Sequence, residues 1–428
     1  MMVRAGMACL AGWLVLAMPA GAETLGEALR LAEANNPELE SGRVDSALAE
    51  EGLEAARAAG RTTVSVTGQG GYESIDSNRV FGANSGDRST ASLQLEAAKP
   101  VYTGGRIASG IRSAKAGIDA AGEALEQLRQ TVWFDTVSAY MNVKADRETV
   151  RIRKNNVGLL EEQVRAARDR FDVGVVTRTD VALTEARLEG AVAGVAAAEA
   201  ALEDSIAQYA AITGGPPGEL APAPPLPRLP ETLEAAVITA LETNPGLQAG
   251  RERVRQARER VSAARAGGRP QLEIVGRAGG QQDFADDIHD TEVAALVRGS
   301  IPLWQGGQVA SEVRSARLQE RQARLEVQRL EREVRAGIAS AWYGYVAAER
   351  AIAASRRQVE AAEIAYDGAT QELAVGTRTT LDVLNSEQNL LEARLSLVSA
   401  KRDAQIAAHR LLQTMGLLTE QRLGLEIR

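Results

Sequence analysis

The chain has 428 residues and a net charge of −8, and 45% of its residues are apolar although only 4% are aromatic. A chain of this length is too long for one simple hydrophobic core and long enough for two or three packed units. The negative charge, without a basic face carrying interleaved aromatic residues, argues against nucleic-acid binding. The apolar share rests mostly on Ala, Val and Leu, and Ala and Leu favour helices.

Residues 1–22 are typical of a secretory signal peptide. Arg4 is followed by an apolar run to Ala20, and Ala20-Gly21-Ala22 forms a small-x-small cleavage site. The run is shorter than the roughly 20 apolar residues that a membrane-spanning helix needs. The single cysteine, Cys9, lies within this segment, whereas a lipid anchor would place it at the end of the apolar run. The rest of the chain therefore offers no disulfide, thiolate or Cys-based zinc site.

After the signal peptide, one unit is present twice. An offset of 208 residues relates Thr24, Asn36-Pro37 and Gly60-Arg61 to their second copies. From Pro100 onward, the motifs of the first copy recur 202 residues later. The second copy has thus lost six residues between Arg269 and Pro302, which indicates a surface loop. We expect a first repeat at 23–213, a Pro-rich linker at 214–231, a second repeat at 232–416 and a short C-terminal tail at 417–428.

Within each repeat the predicted elements follow one order. In the first repeat these are a short helix from Thr24 to Glu33, a break at Asn36-Pro37, a helix from Glu38 to Ala59, a hairpin at about 62–101, a helix from Arg106 to Phe171 and a return helix from Thr179 to Ile212. The second repeat has its hairpin at about 270–303 and its return helix from Thr380 to Met415.

The predicted hairpins alternate apolar and polar residues with period two. Val64, Val66 and Tyr72 fall on one face, while Ser65, Thr67, Gln69, Gln94, Glu96 and Arg277 fall on the other. A polar connection containing Asn84 joins the first pair, and Tyr102 and Trp304 are predicted to end the descending strands as an interfacial aromatic belt. Four strands leave open edges, which cannot sit in lipid, so if the hairpins are embedded in a membrane, several chains must pool them. A soluble sandwich is the alternative.

The long helices carry a heptad seam, which indicates coiled-coil packing. In the first copy it comprises Ile107, Ile111, Ala114, Ile118, Ala121, Leu125, Leu128 and Val132. The helix spans about 100 Å, whereas the two shorter helices cover about 50 and 33 Å, so each repeat can form one continuous and one broken column. We predict a mainly α fold with a small β part, built from two tandem repeats of long coiled-coil helices with one β-hairpin each.

Several of these segments resemble the TolC-like outer-membrane channel family. The resemblance rests on Pro-Val-Tyr-Thr-Gly-Gly at 100–105, Pro-Leu-Trp-Gln-Gly-Gly at 302–307 and Val-Gly-Thr-Arg-Thr-Thr-Leu-Asp-Val-Leu at 375–384, and it covers nearly the whole mature chain. It implies a homotrimer with a shared β-barrel in the lipid of a Gram-negative outer membrane, continuous with an α-helical barrel in the periplasm. It also implies a passive exit duct for small molecules or polypeptides, a periplasmic adaptor and an inner-membrane ABC or RND transporter as partners, and no cofactor.

The resemblance also assigns candidate site residues. The periplasmic gate would comprise Thr179, Asp180, Arg378, Asp382 and Asn385. Gly174 and Gly376 would form the coiled-coil tips, and Gly104, Gly105, Gly306 and Gly307 the strand-to-helix junctions. Arg378 has two expected partners, Asp382 in its own helix or Asp180 and Thr179 on a neighbouring coil. Asn385 and Leu373 stand where the best-known relatives have an aspartate and a tyrosine, so one acidic ring is missing.

Other classes of function find less support in the sequence. No nucleophile–base pair, P-loop or dinucleotide fingerprint is present, which argues against an enzyme. His289 falls in a polar stretch that is predicted as a hairpin loop, with cation or lipopolysaccharide contact as the alternative, and His409 is predicted to be structural. The rival interpretation is a periplasmic coiled-coil adaptor or scaffold without a membrane barrel, but such proteins usually have one helical hairpin per chain.

Overall fold

The structure, a computed structural model, describes residues 22–75, 86–284 and 288–423. The predicted signal peptide before Ala22, the loop position Asn84 and residues 424–428 of the predicted tail lie outside the described residues. Among the helices that the structure describes, none combines the length and apolar character needed to cross a membrane.

In the described part of the chain, each repeat contributes four helices whose lengths agree between the two copies: 11, 22, 67 and 36 residues. The first repeat contains α1 (Leu25–Asn35), α2 (Pro37–Ala58), α3 (Arg106–Asp172) and α4 (Arg178–Thr213). The second contains α5 (Leu233–Thr243), α6 (Pro245–Ala266), α7 (Gln308–Ala374) and α8 (Thr380–Met415), and a short α9 (Glu420–Leu423) follows. The fold class predicted from the sequence is confirmed.

The predicted break between the first two helices is an N-cap. The Asn36 side chain accepts hydrogen bonds from the backbone N–H groups of Glu38 (2.9 Å) and Leu39 (3.3 Å), and Pro37 occupies the first helical turn. Proline costs nothing there, because that N–H has no intrahelical partner. Asn244 repeats the arrangement, accepting from the N–H of Leu247 at 3.0 Å. The Asn-Pro pair thus ends one helix and starts the next in both copies.

The hairpins join into one antiparallel sheet in the order β1-β2-β3-β4. Its strands are β1 (Thr63–Ile75), β2 (Gly86–Tyr102), β3 (Gln271–Asp283) and β4 (Ile288–Ser300). The connections between strands cover 76–85 in the first hairpin and 284–287 in the second, a difference of six residues, so the predicted deletion lies in the strand connection. Because β2 pairs with β3, the sheet ties the two repeats together.

Two predictions about the second hairpin are wrong. Tyr102 ends β2 as expected, but β4 ends at Ser300, and Trp304 therefore lies beyond the strand. Ser300 is opposite Gln271, the first residue of β3, so the following residues have no strand partner in this chain. His289 lies within β4 opposite Gln282, not in the loop, because the pairing of β3 with β4 extends to Asp283 and Ile288.

The first long helix is the centre of the molecule. It packs against α2 and α4 of its own repeat, which form the predicted broken column, and against α6 and α8 of the second repeat. Its middle holds the main apolar cluster, with Trp133, Val137 and Tyr140 packed around Tyr209. The Tyr140 hydroxyl contacts the backbone carbonyls of Glu23 and Ala221, both at 3.0 Å, so the linker lies along this helix.

Candidate functional site

The strand-to-helix junctions are formed by glycines in the left-handed backbone region. Gly104 and Gly105 have φ values of 64° and 93°, and Gly306 and Gly307 have 58° and 85°. Residues with a Cβ atom rarely adopt this conformation, which explains the Gly-Gly pairs. A single unpredicted residue braces the first junction, since Arg269 donates from Nη1 to the Gly104 carbonyl at 2.9 Å.

The two helical hairpins end in tips with the same backbone. Gly174 and Gly376 both have φ = 78° and follow the last helical residues of α3 and α7. The flanking valines Val173, Val175 and Val375 are largely exposed, which is unusual for apolar side chains without a partner. The structure therefore places both predicted tip glycines at the ends of the columns remote from the sheet.

Asp180 and Asp382, two of the predicted gate residues, also serve as helix caps. Asp382 Oδ2 accepts from the N–H (3.1 Å) and the hydroxyl (2.7 Å) of Thr379, while the Thr379 hydroxyl accepts from the Asp382 N–H. Thr177 and Asp180 form the same reciprocal capping box at the start of α4. These hydrogen bonds hold the pKa of both carboxyl groups below its usual value. Both aspartates are therefore ionised wherever the protein is folded near neutral pH.

Arg378 does not pair with Asp382 in its own helix, and that alternative is wrong. Its Nε donates to Glu372 Oε2 at 2.7 Å, which ties the tip turn back to the end of α7. Asp382 is already engaged by Thr379 through Oδ2, and the capping geometry turns this oxygen toward the helix start. Thr-x-x-Asp at 379–382 is the sequence signal that could have identified the capping role in advance.

The remaining gate candidates are distributed over both return helices. Thr179 is an exposed residue of the first turn of α4. Asn385 is exposed on α8, and its Oδ1 accepts from Arg187 Nη2 at 3.2 Å. This bond connects α8 to α4, so the two return helices meet through Arg187, a residue that sequence reasoning missed.

A buried carboxyl group near the gate was also missed. Glu387 is only 4% exposed, and its Oε2 accepts from Gln163 Nε2 of α3 at 3.0 Å. Within the described residues Oε1 has no hydrogen-bond partner. Burial raises the pKa of Glu387 from its usual 4.5 to about 7. The signal was available, because Glu387 follows Val383 at a spacing of four and so falls on the apolar face of α8.

Within the described ranges, no group of three or more His, Cys, Asp or Glu side chains could hold a metal ion. His409 is buried, and its Nδ1 lies 2.7 Å from the Gln405 carbonyl of the preceding turn, which fits the predicted structural role. What the fold does provide is a sheet with open edges at one end of columns about 100 Å long, and capped tips at the other.

Such a chain has the form of a channel subunit, and comparison with known proteins agrees. It is 33% identical over 420 residues to the outer membrane efflux protein BepC of Brucella suis, covering 98% of this chain and 91% of BepC. It is 26% identical to the outer membrane protein TolC of Escherichia coli, covering 94% and 84%. It is 26% identical to the alkaline protease secretion protein AprF of Pseudomonas aeruginosa, covering 71% and 65%. The crystal structure of CusC superposes with a TM-score of 0.81 at 16% identity, covering 94% and 95%.

Residues 28–215 and 237–417 match the outer membrane efflux protein family, and the chain belongs to it. It is an outer-membrane channel of a Gram-negative bacterium that extends into the periplasm and serves as an exit duct for efflux or secretion. The family match includes both repeats, so the adaptor interpretation is set aside. The relatives are channel proteins and not enzymes.

Proposed function

We propose that the chain works as a homotrimeric duct whose sheets join into one β-barrel in the outer-membrane lipid and whose helices form a tunnel through the periplasm. The helical tips face a periplasmic adaptor and an inner-membrane ABC or RND transporter. Small molecules or polypeptides pass through passively. The names of BepC, an efflux protein, and AprF, a protease secretion protein, support both classes of cargo.

The observation that carries this proposal is the open edge on each side of the sheet. β1 and β4 are the outermost strands, and each is 13 residues long. Every unpaired backbone group along such an edge costs several kcal/mol in lipid, so the edges need strands from further copies. Edge-to-edge pairing of copies satisfies these groups without any change within the chain.

We assign the periplasmic constriction to Arg378, Asp382 and Asn385 on the second repeat, and to Thr179 and Asp180 on the first. In a threefold ring, Asp382 recurs as a set of like charges that repel one another. Both cap bonds of Asp382 use Oδ2, which leaves Oδ1 for a cation. Arg378 is half-exposed and can leave Glu372 at little cost, because exposed ion pairs contribute only about 0–1 kcal/mol. A link from Arg378 to Asp180 of the next coil then closes the duct.

Single-channel conductance in planar bilayers tests this assignment. We expect Arg378→Ser to raise the conductance, because the link to the neighbouring coil is lost. The matched variant is Glu372→Gln, which removes the partner of Arg378 within the chain and should leave the conductance unchanged. An equal rise in both variants would mean that the pair within one chain braces the tip, and no rise in either would place the constriction elsewhere.

The orientation is tested separately. Photo-crosslinkers at Val176 and Thr377, next to the two tip glycines, should capture a periplasmic adaptor or transporter. A label at Asn84 should react from outside intact cells. Exchanged accessibility of these positions would reverse the orientation, and a purified protein that is monomeric and soluble without detergent would refute the duct.

A further inference from the structure

A cavity of about 490 Å³ lies beside the linker, near the middle of α3. Its walls come from α3 (141–151), the linker (219–223) and α8 (398–405). Pockets that bind small molecules measure about 300–1,000 Å³, so the size suits a small ligand. The cavity ends about 30 Å before the tip, counting from Arg151 to Asp172 at the rise of an α-helix. It is therefore separate from the candidate gate.

Positive charge predominates in this cavity. Its lining has five cationic and two acidic side chains, namely Lys144, Arg147, Arg151, Lys401 and Arg402 against Glu148 and Glu219. Two of the cations bind neutral partners, since Lys144 Nζ donates to the Ala221 carbonyl at 2.6 Å and Arg147 Nη1 to the Gly218 carbonyl at 2.8 Å. A carbonyl leaves the charge in place, and burial holds the pKa of Lys144 below its usual value. The chain itself does not balance this excess of positive charge.

Lys401 is a cation that remains available to a ligand. Arg151 Nε donates to Glu148 Oε2 at 2.8 Å, and Arg402 Nε donates to Asp403 Oδ1 at 2.9 Å. Lys401 is exposed, and it forms neither a hydrogen bond nor a salt bridge with any residue that the structure describes. Its ammonium group can therefore bind an anion in the cavity without breaking a contact within the chain.

Gln405 brings a buried acceptor to the same wall. This residue is only 9% exposed, and its Nε2 donates to the Pro224 carbonyl at 2.7 Å. Its Oε1 is buried and has no hydrogen-bond partner in the described part of the chain. A buried acceptor without a donor is destabilising. A ligand that supplies an N–H or O–H group here makes a hydrogen bond that the chain leaves unmade.

The repeat shows that the helices form without these side chains. The residues 202 positions away in the other copy are not cations: Val346 for Lys144, Glu349 for Arg147 and Glu199 for Lys401. Gln405 likewise corresponds to Glu203. Since α4 and α7 have the same lengths as α8 and α3 with neutral or acidic residues at these places, the cations serve something local to the cavity.

The charges and the free acceptor define the ligand's polar end. Lys401 and Gln405 are four residues apart, so they lie on one face of α8, and the ligand needs a negative charge with a donor beside it. Glu148 and Glu219 in the same lining repel additional negative charge, which favours a monoanion over a phosphate dianion. A carboxylate with an amide N–H next to it meets both conditions.

We propose that this cavity binds the carboxylate end of a short peptide or an N-acyl amino acid. Lys401 pairs with the carboxylate, and the neighbouring amide N–H donates to Gln405 Oε1. Aliphatic groups of the ligand contact the apolar part of the lining, which consists of Met141, Leu220 and Val398 with two alanines. This binding site goes beyond the duct function and does not depend on the gate assignment.

Isothermal titration calorimetry of the full-length protein in detergent, at low salt, tests the ligand class. The probe is N-acetyl-alanyl-alanine. Its C-terminal amide lacks the negative charge, and N-acetyl-alanyl-lactate has an ester oxygen in place of the terminal N–H. We expect the amide to bind about tenfold more weakly and the ester about fivefold more weakly, because hydrogen bonds to charged groups contribute more than neutral ones. Inorganic phosphate should not displace the probe.

Two variants test the residues, with a matched control. Lys401→Gln should weaken binding of the probe by about tenfold, because the ion pair is lost. Lys154→Gln makes the same change on α3 at an exposed lysine that pairs with Glu199 at 2.7 Å, and it should leave binding unchanged. In Gln405→Ala, the amide-linked probe and its ester should bind equally, a result that a general loss of stability would not produce.

Each other outcome overturns the proposal. No binding to the wild-type protein, or equal binding of the acid and its amide, excludes a carboxylate site. Displacement by phosphate reduces the cavity to a general anion site, and equal losses in Lys401→Gln and Lys154→Gln place the binding elsewhere. None of these results bears on conductance in planar bilayers, so the duct stands or falls independently.

Discussion

The two long helices have the same length and opposite surroundings. α3 has buried residues along most of its course, from Ser109 to Ala167, whereas α7 buries only Ala316, Ile338, Ser355 and Ala369. The cause is position, because α3 has helices of both repeats around it and α7 lies at one side of the chain. The comparison teaches that duplication copied the backbone, while the side chains adapted to two different environments.

Side chains at equivalent positions make this adaptation visible. Trp133 of α3 is 1% exposed, and its Nε1 donates to Glu33 at 3.1 Å, while its counterpart on α7 is the exposed Arg335. Glu185 of α4 is partly exposed and bound by Arg168 at 2.6 Å, while its counterpart Glu387 is buried. Each such pair gives an experiment with its control in the other repeat.

The largest effect is expected from Trp133→Ala. Loss of a buried tryptophan should destabilise the protein by about 3–5 kcal/mol, and it also removes the N–H donor to Glu33 Oε2. Arg335→Ala should change stability by less than about 0.5 kcal/mol, because the side chain is exposed. Thermal unfolding in detergent, followed by circular dichroism, measures both. Equal losses would show that the two long helices are equally supported after assembly.

The next effect concerns pH and Glu387. Its pKa is about 7 in the folded protein and 4.5 when unfolded, so the folded state keeps a proton that the unfolded state has released. The contribution of Glu387 to the free energy of unfolding is therefore largest at low pH and falls as pH rises from about 4.5 to about 7, by at most about 3 kcal/mol. Glu387→Gln should be more stable than wild type at pH 8.5 and similar at pH 4.5.

Glu185→Gln is the control for this prediction. It removes a partly exposed carboxylate, and it should change the difference in melting temperature between pH 4.5 and pH 8.5 only slightly. If Glu387→Gln kept the pH dependence of the wild type, the carboxyl group would have to be charged while buried, and water or a cation would have to reach its Oε1.

The smallest effects should be equal in the two repeats. Thr177→Ala and Thr379→Ala each remove one capping box, at about 1 kcal/mol. Hydrogen exchange of the amides at 177–180 and 379–382 should accelerate by a similar factor in both variants, and Thr→Ser at the same positions should restore protection. A much larger effect at Thr379 would mean that the second tip relies on its cap more than the first.

Much of the fold could be predicted because its determinants are local. The Asn-Pro break, the Gly-Gly junctions and the tip glycines each require one backbone conformation, so their residue types are informative on their own. The repeat offsets placed the six-residue deletion between Arg269 and Pro302, and the strand bounds narrow this to the connection between β3 and β4. Helix ends agreed within a few residues for the same reason.

The site was predicted less completely, because its contacts depend on choices between several nearby partners. Arg378 binds Glu372, not Asp382, although both cap bonds of Asp382 use only its Oδ2. Arg187 reaches Asn385 across two helices, and Arg269 reaches Gly104 across the two repeats. No periodicity in the sequence specifies such long-range pairs. The strand position of His289 was missed because its polar neighbours were taken to mark a loop, whereas the pairing of β3 with β4 extends through them to Ile288.

The agreement in helix length between the repeats fixes the length of the helical columns. One inserted residue in α3 would turn everything beyond it by about 100° and advance it by about 1.5 Å, which would misplace the whole seam. Insertions of seven residues, made together in both long helices and in the helices facing them, keep the seam in register, and insertions of three or four residues change the supercoil locally. We expect relatives that serve a thicker or thinner cell envelope to differ in such steps, while the strand connections can vary one residue at a time.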